Sequence, residues 1–282
     1  MQVRDALAHA VTRLRDAGIE SAPRDARRLL AHALGVADDR VMMALADEMT
    51  QQQVKAFHTA IAARAARQPV AQITGARLFW GRSFQVTRDV LDPRPETETL
   101  IAAALERPFS TVLDLGTGSG AILLTLLAER AGASGLGVDL SPAALDVARA
   151  NARALGVAPR TRFQLSDWFG TVSGRFDMIA ANPPYIGTDE VADLAPEVRD
   201  WEPRMALVPA GCDGSGLAAY RHICAQAPRH LAPGGWLLVE IGTTQGSAVA
   251  ALFTRSGLHA VQVLSDMSGH DRVVLGQAGL GQ

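Results

Sequence analysis

The sequence is poor in cysteine, aromatic residues and lysine, and it has no long apolar run. Its two cysteines, Cys212 and Cys224, are too few for a disulfide-rich secreted domain and match no zinc-binding spacing, so we expect free, buried thiols and no metal site. No apolar stretch approaches the ~20 residues of a membrane-spanning helix. The N-terminal segment has interspersed charges rather than the apolar core of a signal peptide. We therefore expect a cytoplasmic protein with no membrane partner.

The charges also lack an excess of one sign. There are 27 Lys+Arg against 29 Asp+Glu, a balance that argues against a non-specific nucleic-acid binder. Residues 1–78 contain 11 basic and 8 acidic side chains, and the rest of the chain contains 16 and 21. The slightly basic front suits a local contact with an anionic partner but is no nucleic-acid tract. Hydrophobic residues make up 48% of the 282 positions, which predicts a globular chain of about two domains.

Residues 1–68 have a helical pattern. Leu7, Val11 and Leu14 recur at helical spacing, Pro23 suits the first turn of a second helix, and Gly35 suits its end. No cluster of acidic or histidine side chains indicates chemistry in this part of the chain. We predict a small helical bundle that recognises a substrate or partner, with packing alone as the alternative.

From residue 69 the pattern changes. Residues 69–92 are β-prone and interrupted by glycines, which predicts a β-hairpin linker. Residues 93–282 are predicted to form one domain, in which strands and helices alternate from Ser110 onward, and this predicts an α/β fold with an open, mostly parallel, doubly wound sheet. Two final β-prone runs at 259–266 and 271–276 predict an antiparallel hairpin at the sheet edge. The other predicted strands are apolar runs typical of strands buried on both faces, at residues 111–115, 134–138, 161–165, 176–181 and 235–241.

A glycine-rich turn follows the first strand of the alternating region. Gly116, Gly118 and Gly120 let the backbone approach a ligand closely, and the following helix N-terminus offers N–H groups to it. Asp139 follows the next strand, where a carboxylate accepts hydrogen bonds from ribose hydroxyls. This predicts a nucleoside cofactor. With Ala121, the turn also fits a dinucleotide pattern, so NAD and S-adenosylmethionine (SAM) both stay open here.

The run Asn182-Pro183-Pro184-Tyr185 follows the fourth strand at the carboxyl edge of the predicted sheet. Its prolines stiffen the turn and offer carbonyls without N–H groups. The Asn182 side-chain oxygen and the Pro183 carbonyl can both accept from one planar NH₂ group, and Tyr185 can cover its flat face. The pattern selects an amide or aromatic amine nitrogen. Hydride transfer does not require it, so we favour SAM.

Further motifs extend the pattern over nearly the whole chain, in one order. They are PRPETE at 93–98, DLGTGSGAI at 114–122, VDLS at 138–141, SDWF at 166–169, NPPYI at 182–186, EVRDWEPRMAL at 197–207, PGGWLLVEIG at 233–242 and DMSGHDRVVLG at 266–276. With these motifs, the chain resembles the class I SAM-dependent methyltransferases. It is most similar to the PrmC/HemK family, the protein-(glutamine-N5) methyltransferases that modify peptide chain release factors.

The resemblance implies roles for particular residues. Asp139 would hold the ribose of SAM, Asp167 would accept from the adenine amino group, and Trp168 would form an apolar wall beside it. Arg94, Glu96 and Glu98 match a family motif near the site, without individual roles. The residues lining the methionine part of SAM would be Gly116, Thr117, Gly118, Ser119 and Gly120. Asn182, Pro183 and Tyr185 would be catalytic, Asn182 would also border the cofactor, and the substrate glutamine would contact Asn182, Pro183, Pro184 and Tyr185.

The implied reaction is methyl transfer from SAM to the side-chain amide nitrogen (N5) of the glutamine in the Gly-Gly-Gln motif of class I release factors. Three alternatives stay open: a ribosomal-protein glutamine methyltransferase, an adenine-N6 nucleic-acid methyltransferase, and a non-catalytic SAM- or NAD-binding module. The adenine alternative is disfavoured because the sequence has no basic stripe for phosphate contacts. We expect a monomer whose partner is a release factor, with no direct nucleic-acid contact.

Overall fold

The helical and the alternating sequence patterns correspond to two compact units in a computed structural model, which describes residues 1–280. The first, here called the helical unit, contains Met1–Ala76 together with the short segment Ala195–Trp201. The second, here called the sheet unit, contains Arg77–Leu194 and the described chain from Glu202 onward. The predicted helical front and α/β remainder are therefore confirmed.

The described chain alternates as the sequence predicts from residue 111 onward. Its α-helices are α1 (Val3–Asp16), α2 (Ala22–Leu34), α3 (Gln51–Ala65), α4 (Val70–Thr74), α5 (Glu98–Leu105), α6 (Ala121–Glu129), α7 (Pro142–Ala154), α8 (Pro196–Arg199), α9 (Arg204–Leu207), α10 (Ala218–His230) and α11 (Gly246–Arg255). Its strands are β1 (Ala76–Phe79), β2 (Arg82–Gln85), β3 (Thr111–Leu115), β4 (Ser134–Asp139), β5 (Thr161–Leu165), β6 (Phe176–Ala181), β7 (Leu231–Glu240), β8 (His259–Ser265) and β9 (Asp271–Gln277). Short 3₁₀ helices lie at Asp38–Ala44, Pro95–Thr97, Ala158–Arg160 and Thr188–Asp193. No helix within residues 1–280 is long and apolar enough to cross a membrane.

The helical unit buries one apolar face of each of its longer helices. Leu14 of α1, Leu29 of α2 and Phe57 of α3 share one core, which explains the helical spacing of apolar residues in the sequence. Helix α2 ends at Gly35, whose φ of 70° lies in the left-handed region that glycine tolerates. Helix α3 starts with a capping box, in which Thr50 and Gln53 satisfy each other's backbone N–H groups.

The predicted hairpin linker differs from the structure at its start. Residues Val70–Thr74 form α4, and the β-hairpin begins only at Ala76. The helix is closed by Gly75, which has a φ of 72°, and this local stop outweighs the β-branched composition of the segment. The hairpin turn is Trp80-Gly81, and both residues have positive φ, as a tight two-residue turn between twisted strands requires.

The sheet unit is built on seven strands in the order β5-β4-β3-β6-β7-β9-β8. Strands β3 to β7 run parallel, and β9 pairs antiparallel with both β7 and β8. The predicted antiparallel edge hairpin is confirmed. Strand order reverses at β3, which has β4 on one side and β6 on the other, and such a switch point opens a crevice at the carboxyl ends of the strands.

The prediction that every parallel strand is buried on both faces is wrong for β5. None of its five residues is fully buried, whereas β3 and β6 are buried almost throughout. Strand β5 lies at the end of the sheet and has a neighbour on one side only, so its apolar composition does not produce full burial. Both cysteines are free as expected, but only Cys224 is fully buried.

A buried ion pair anchors the helical unit. The Arg64 Nε donates to Asp25 Oδ2 at 2.9 Å, and Arg64 Nη1 lies 3.0 Å from Glu197 Oε1. The side chains of Arg64 and Asp25 are only 7% and 5% exposed. Ser21 Oγ adds a hydrogen bond to the same Asp25 oxygen at 2.7 Å. The segment Ala195–Trp201 is thus held to the helices by charge.

We predict that Arg64→Met destabilises the helical unit by about 3–5 kcal/mol, because it leaves the buried Asp25 carboxylate without its buried cation. The measurement is hydrogen exchange of peptides from α2 and α3 in the full-length chain under increasing urea. The matched control is Arg24→Met, which removes an exposed arginine 3.6 Å from the same carboxylate and is expected to change stability by less than about 1 kcal/mol. Equal effects of the two substitutions would contradict the anchoring role of the Arg64–Asp25 ion pair.

Candidate active site

A cleft of about 530 Å³ opens at the carboxyl edge of the sheet, within the sheet unit. This volume is in the range of small-molecule sites. Four strand ends contribute to its lining: residues 116–119 after β3, 139–141 after β4, 166–168 after β5, and 182 and 184 after β6. Further lining comes from residues between 89 and 97 and between 203 and 210. The cleft therefore lies at the switch point of the strand order, at the carboxyl edge of the sheet where the sequence placed Asn182.

The glycine turn forms one side of the cleft. Gly116 and Gly118 have φ values of 66° and 53°, and a Cβ built on either would meet no atom within 4 Å. The backbone conformation therefore requires glycine, and the space beside it is open to a ligand. Gly120 differs, since its Cβ would come within 2.8 Å of the Leu124 side chain. It is the N-cap of α6 and does not line the cleft, whereas Thr117 and Ser119 do.

The buried carboxylate of Asp114 forms hydrogen bonds that stabilise the glycine turn. Asp114 Oδ2 accepts from Thr117 Oγ1 at 2.6 Å and from Leu123 N at 3.4 Å, so it ties the turn to the first residues of α6. Burial raises the pKa of Asp114 to about 7. Sequence reasoning did not single out this residue. The available signal was a carboxylate inside an otherwise apolar strand.

Asp139 lies at the end of β4 and faces the cleft. Its Oδ2 accepts from Gly118 N at 2.9 Å and its Oδ1 accepts from Ser141 N at 2.9 Å. Burial raises its pKa, while these backbone hydrogen bonds oppose the shift. Each carboxylate oxygen has a second lone pair, so the side chain can still accept from hydroxyl groups of a ligand.

The loop after β5 brings Asp167 and Trp168 to the cleft. Asp167 is exposed, and Trp168 has a φ of 47°, a strained conformation for a residue of its size. Ser166 Oγ donates to the Trp168 carbonyl at 2.9 Å and accepts from Thr171 N at 3.0 Å, which holds the strained backbone in place. The Trp168 ring packs partly against the core and partly lines the cleft.

The Asn182–Tyr185 run is divided by the structure. Asn182 and Pro184 line the cleft, whereas Pro183 is buried and Tyr185 packs against the core; neither is among the lining residues. The Tyr185 carbonyl accepts from Gln245 Nε2 at 3.0 Å. Burial, with a smaller contribution from Glu240, raises the pKa of Tyr185 to about 12, so its hydroxyl stays neutral.

Two further side chains meet Asn182, and sequence reasoning assigned them no role. Asn182 Nδ2 donates to Thr97 Oγ1 at 3.4 Å, and Thr97 Oγ1 donates to Glu240 Oε2 at 2.6 Å. Thr97 ends the 3₁₀ helix Pro95–Thr97, and Glu240 ends β7. The signal available in the sequence was that both residues lie inside motifs of the family that the chain resembles, PRPETE and PGGWLLVEIG.

Two charged residues of the PRPETE motif, Arg94 and Glu98, have separate partners. Arg94 lines the cleft, and its Nη2 lies 2.7 and 2.8 Å from the two carboxylate oxygens of Glu202. Burial raises the pKa of Glu202, and the Arg94 guanidinium opposes this shift. Glu98 Oε1 accepts from Trp80 N at 2.9 Å, so this carboxylate caps the hairpin turn. Arg94 and Glu98 thus form structural contacts around the cleft.

The cleft fits the cofactor that the sequence resemblance implies. Asp139 and Asp167 are acceptors suited to ribose hydroxyls and to an adenine amino group. The open space beside Gly116 and Gly118 lets a ligand approach the backbone closely.

Two family profiles match the chain. A profile described as the PrmC N-terminal domain matches residues 5–75, within the helical unit. A profile described as the methyltransferase small domain matches residues 88–197, which contain the glycine turn and the Asn182–Tyr185 run.

Relatives extend the match over the whole chain. A protein of Cereibacter sphaeroides named release factor glutamine methyltransferase is 60% identical over 274 residues, which are 97% of this chain and 98% of the relative. A protein of Rhodospirillum rubrum with the same name is 46% identical over 266 residues, which are 93% of this chain and 81% of the relative.

Solved structures agree in fold. A methyltransferase from Pyrococcus furiosus superposes with a TM-score of 0.54 at 15% identity and covers 79% of this chain and 98% of that one. The hMettl16 catalytic domain, solved in complex with a MAT2A 3′UTR hairpin, gives a TM-score of 0.59 at 15% identity and covers 77% of this chain and 82% of that one. At such identity these structures show the fold alone, whereas the two relatives show the family. The chain belongs to the release factor glutamine methyltransferase family.

Proposed function

We propose that this protein transfers the methyl group of SAM to N5 of the glutamine in the Gly-Gly-Gln motif of class I peptide chain release factors. The observation that carries the proposal is that Asn182 and Pro184 line the cleft of a chain 60% identical to a release factor glutamine methyltransferase. The proposal includes a cytoplasmic monomer whose protein partner is the release factor, without direct contact to nucleic acid.

SAM supplies a methyl group on a sulfonium, which is a strong electrophile. In the proposal, Asp139 holds its ribose, and Asp167 and Trp168 hold its adenine. The glycine turn at residues 116–119 borders its methionine part. The support is the set of acceptors around the cleft and the open space beside Gly116 and Gly118.

The substrate amide nitrogen is a poor nucleophile because its lone pair is delocalised into the carbonyl. In the proposal, the Asn182 side-chain oxygen and the Pro183 carbonyl accept hydrogen bonds from the two N–H groups of this nitrogen. These hydrogen bonds favour partial pyramidalisation of the nitrogen and fix its position relative to the electrophile. These two oxygens also complement the positive charge that develops on the nitrogen. A methylated, protonated amide is strongly acidic and releases its proton to water, so the reaction needs no dedicated base.

The proposal predicts that labelled methyl from SAM appears on the glutamine of the Gly-Gly-Gln motif of a purified release factor. Mass-spectrometric peptide mapping of the product locates the label. Ribosomal protein and DNA are incubated in parallel. Label on the ribosomal protein alone would show that the substrate is a glutamine of another protein. Label on DNA alone would show that the substrate is adenine. SAM binding without label on any acceptor would contradict the enzymatic proposal.

We predict that Asn182→Ala lowers kcat by about 30- to 1,000-fold, because removal of one orienting group costs about 2–4 kcal/mol in the transition state. Calorimetric titration with SAM serves as the control and should give an affinity within about threefold of the parent. Near-normal turnover of a variant that binds SAM normally would contradict the role of Asn182.

The helical unit is proposed to recognise the body of the release factor. A glutamine loop offers little surface for selection, and a second contact raises the effective concentration of substrate at the cleft. The support is the exposed apolar pair Met42 and Met43, which are 58% and 77% exposed in the 3₁₀ helix Asp38–Ala44. Burial of these two adjacent side chains against a partner would contribute favourable hydrophobic free energy to the contact.

We predict that Met43→Glu raises KM for the intact release factor by about tenfold, while KM for a short glutamine-containing peptide stays unchanged. Steady-state kinetics with both substrates measures the split. Met267→Glu is the matched control, because Met267 is a fully exposed methionine in the sheet unit. The recognition role fails if both variants behave alike, or if Met43→Glu impairs the peptide reaction equally.

A further inference from the structure

The side chains of Asn182, Thr97 and Glu240 form a connected set at the carboxyl edge of the sheet, where Asn182 and Thr97 line the cleft. The parallel register pairs Ala181 of β6 with Val239 of β7, so Asn182, just after β6, lies beside Glu240, the last residue of β7. Thr97 bridges the two. Thr97 and Glu240 are 4% and 1% exposed, so water does not compete for these hydrogen bonds.

The order of donors in this set fixes which way the Asn182 amide points. The Thr97 hydroxyl donates its only proton to Glu240, and Oγ1 lies 2.6 Å from Glu240 Oε2. Thr97 Oγ1 therefore presents only lone pairs to Asn182. A lone pair accepts from an NH₂ group and repels a carbonyl oxygen. The Asn182 NH₂ group therefore faces Thr97 at 3.4 Å, and the opposite atom, Oδ1, is left for the cleft.

We propose that Thr97 and Glu240 are positioning residues, which orient Asn182 so that its side-chain oxygen, rather than its NH₂ group, faces the substrate. The inference rests on the proposed function, since an oxygen is the atom that an amide substrate needs as its acceptor. Without the Thr97 hydroxyl, the Asn182 NH₂ group loses an acceptor, so the orientation that turns its oxygen to the cleft is less strongly favoured.

The charge of Glu240 controls which groups donate and which accept in this chain of hydrogen bonds. An ionised carboxylate accepts from Thr97, whereas a protonated one donates to Thr97 and turns the Thr97 hydroxyl toward Asn182, which favours the reversed amide. Burial raises the pKa of Glu240 to about 7, so the productive orientation is populated above this pH and is lost below it. The groups that act on Glu240 are the Thr97 hydroxyl, the Arg272 cation, the Glu96 carboxylate, the Asn182 amide and the Tyr185 and Tyr220 phenols.

The first test compares two substitutions at Thr97. Thr97→Val removes the hydroxyl at constant shape and should lower kcat about 10- to 100-fold, with KM for the release factor and SAM affinity within about threefold. Thr97→Ser keeps the hydroxyl and should restore kcat to within about threefold of the parent. Thr125→Val is the matched control, because Thr125 is fully buried in α6 and its hydroxyl has no hydrogen-bond partner. It should leave both constants unchanged.

The second test uses pH. The parent kcat should fall about tenfold from pH 8 to pH 6 as Glu240 is protonated. Glu240→Gln has no such titration, so its lower kcat should be flat across this range. Equal loss in Thr97→Val and Thr97→Ser, an unchanged kcat in Thr97→Val, or the same pH inflection in Glu240→Gln would each overturn the inference.

A third readout does not need activity. In protein with ¹⁵N-labelled asparagine, the Asn182 side-chain amide signals are identified by their absence in Asn182→Ala. In the parent and in Thr125→Val these signals should titrate with a midpoint near 7. In Glu240→Gln they should not titrate, and in Thr97→Val the change with pH should be smaller because the bridging hydroxyl is lost. Signals that are identical in the parent and in Thr97→Val would overturn the inference. If the parent fails to methylate any release factor, the proposed function falls, and these spectra still decide how Asn182 is oriented.

Discussion

The parallel pairing of β3, β6 and β7 is the constraint on which the site depends. Leu115 pairs with Ala181, and Ala181 pairs with Val239, so three strands reach the carboxyl edge of the sheet at one level. The glycine turn, the Asn182–Tyr185 run and Glu240 lie at these three strand ends. A shift of one residue in either pairing would move every side chain of a strand to the other face. The chemistry of the cleft is therefore set by backbone hydrogen bonds at some distance from it.

Two buried carboxylates lie directly behind this edge, and each acts through a hydroxyl. Asp114 holds Thr117 of the glycine turn, and Glu240 holds Thr97 beside Asn182. Burial raises the pKa of both carboxyl groups to about 7. Apolar residues at these positions would bury more favourably. Their presence fits the general tendency of functional sites to retain local features that cost stability.

The sequence predicted the fold well where long-range packing and local pattern agree. Strands β3, β5 and β6 have the predicted limits, and Gly35 ends its helix as expected. The failures have physical causes. The burial of β5 depends on its place at the end of the sheet, which no local pattern encodes. Helix α4 is fixed by the stop at Gly75. In the site, the glycine turn and Asn182 were identified because their chemistry is local. Thr97 and Glu240, 143 positions apart, are joined only by the fold.

The segment Ala195–Trp201 gives the chain a discontinuous modular organisation. It belongs to the helical unit, although it is encoded between two parts of the sheet unit, and Glu197 pairs there with Arg64 and Arg67. Trp201 adds contacts, since its carbonyl accepts from Gln72 and its Nε1 donates to the Ala66 carbonyl. The modules therefore cannot be exchanged as a simple N-terminal block. A chimera carrying residues 1–76 of a relative would need that relative's matching seven-residue segment, and a library that shuffles the two modules would require two coordinated crossovers beyond residue 76.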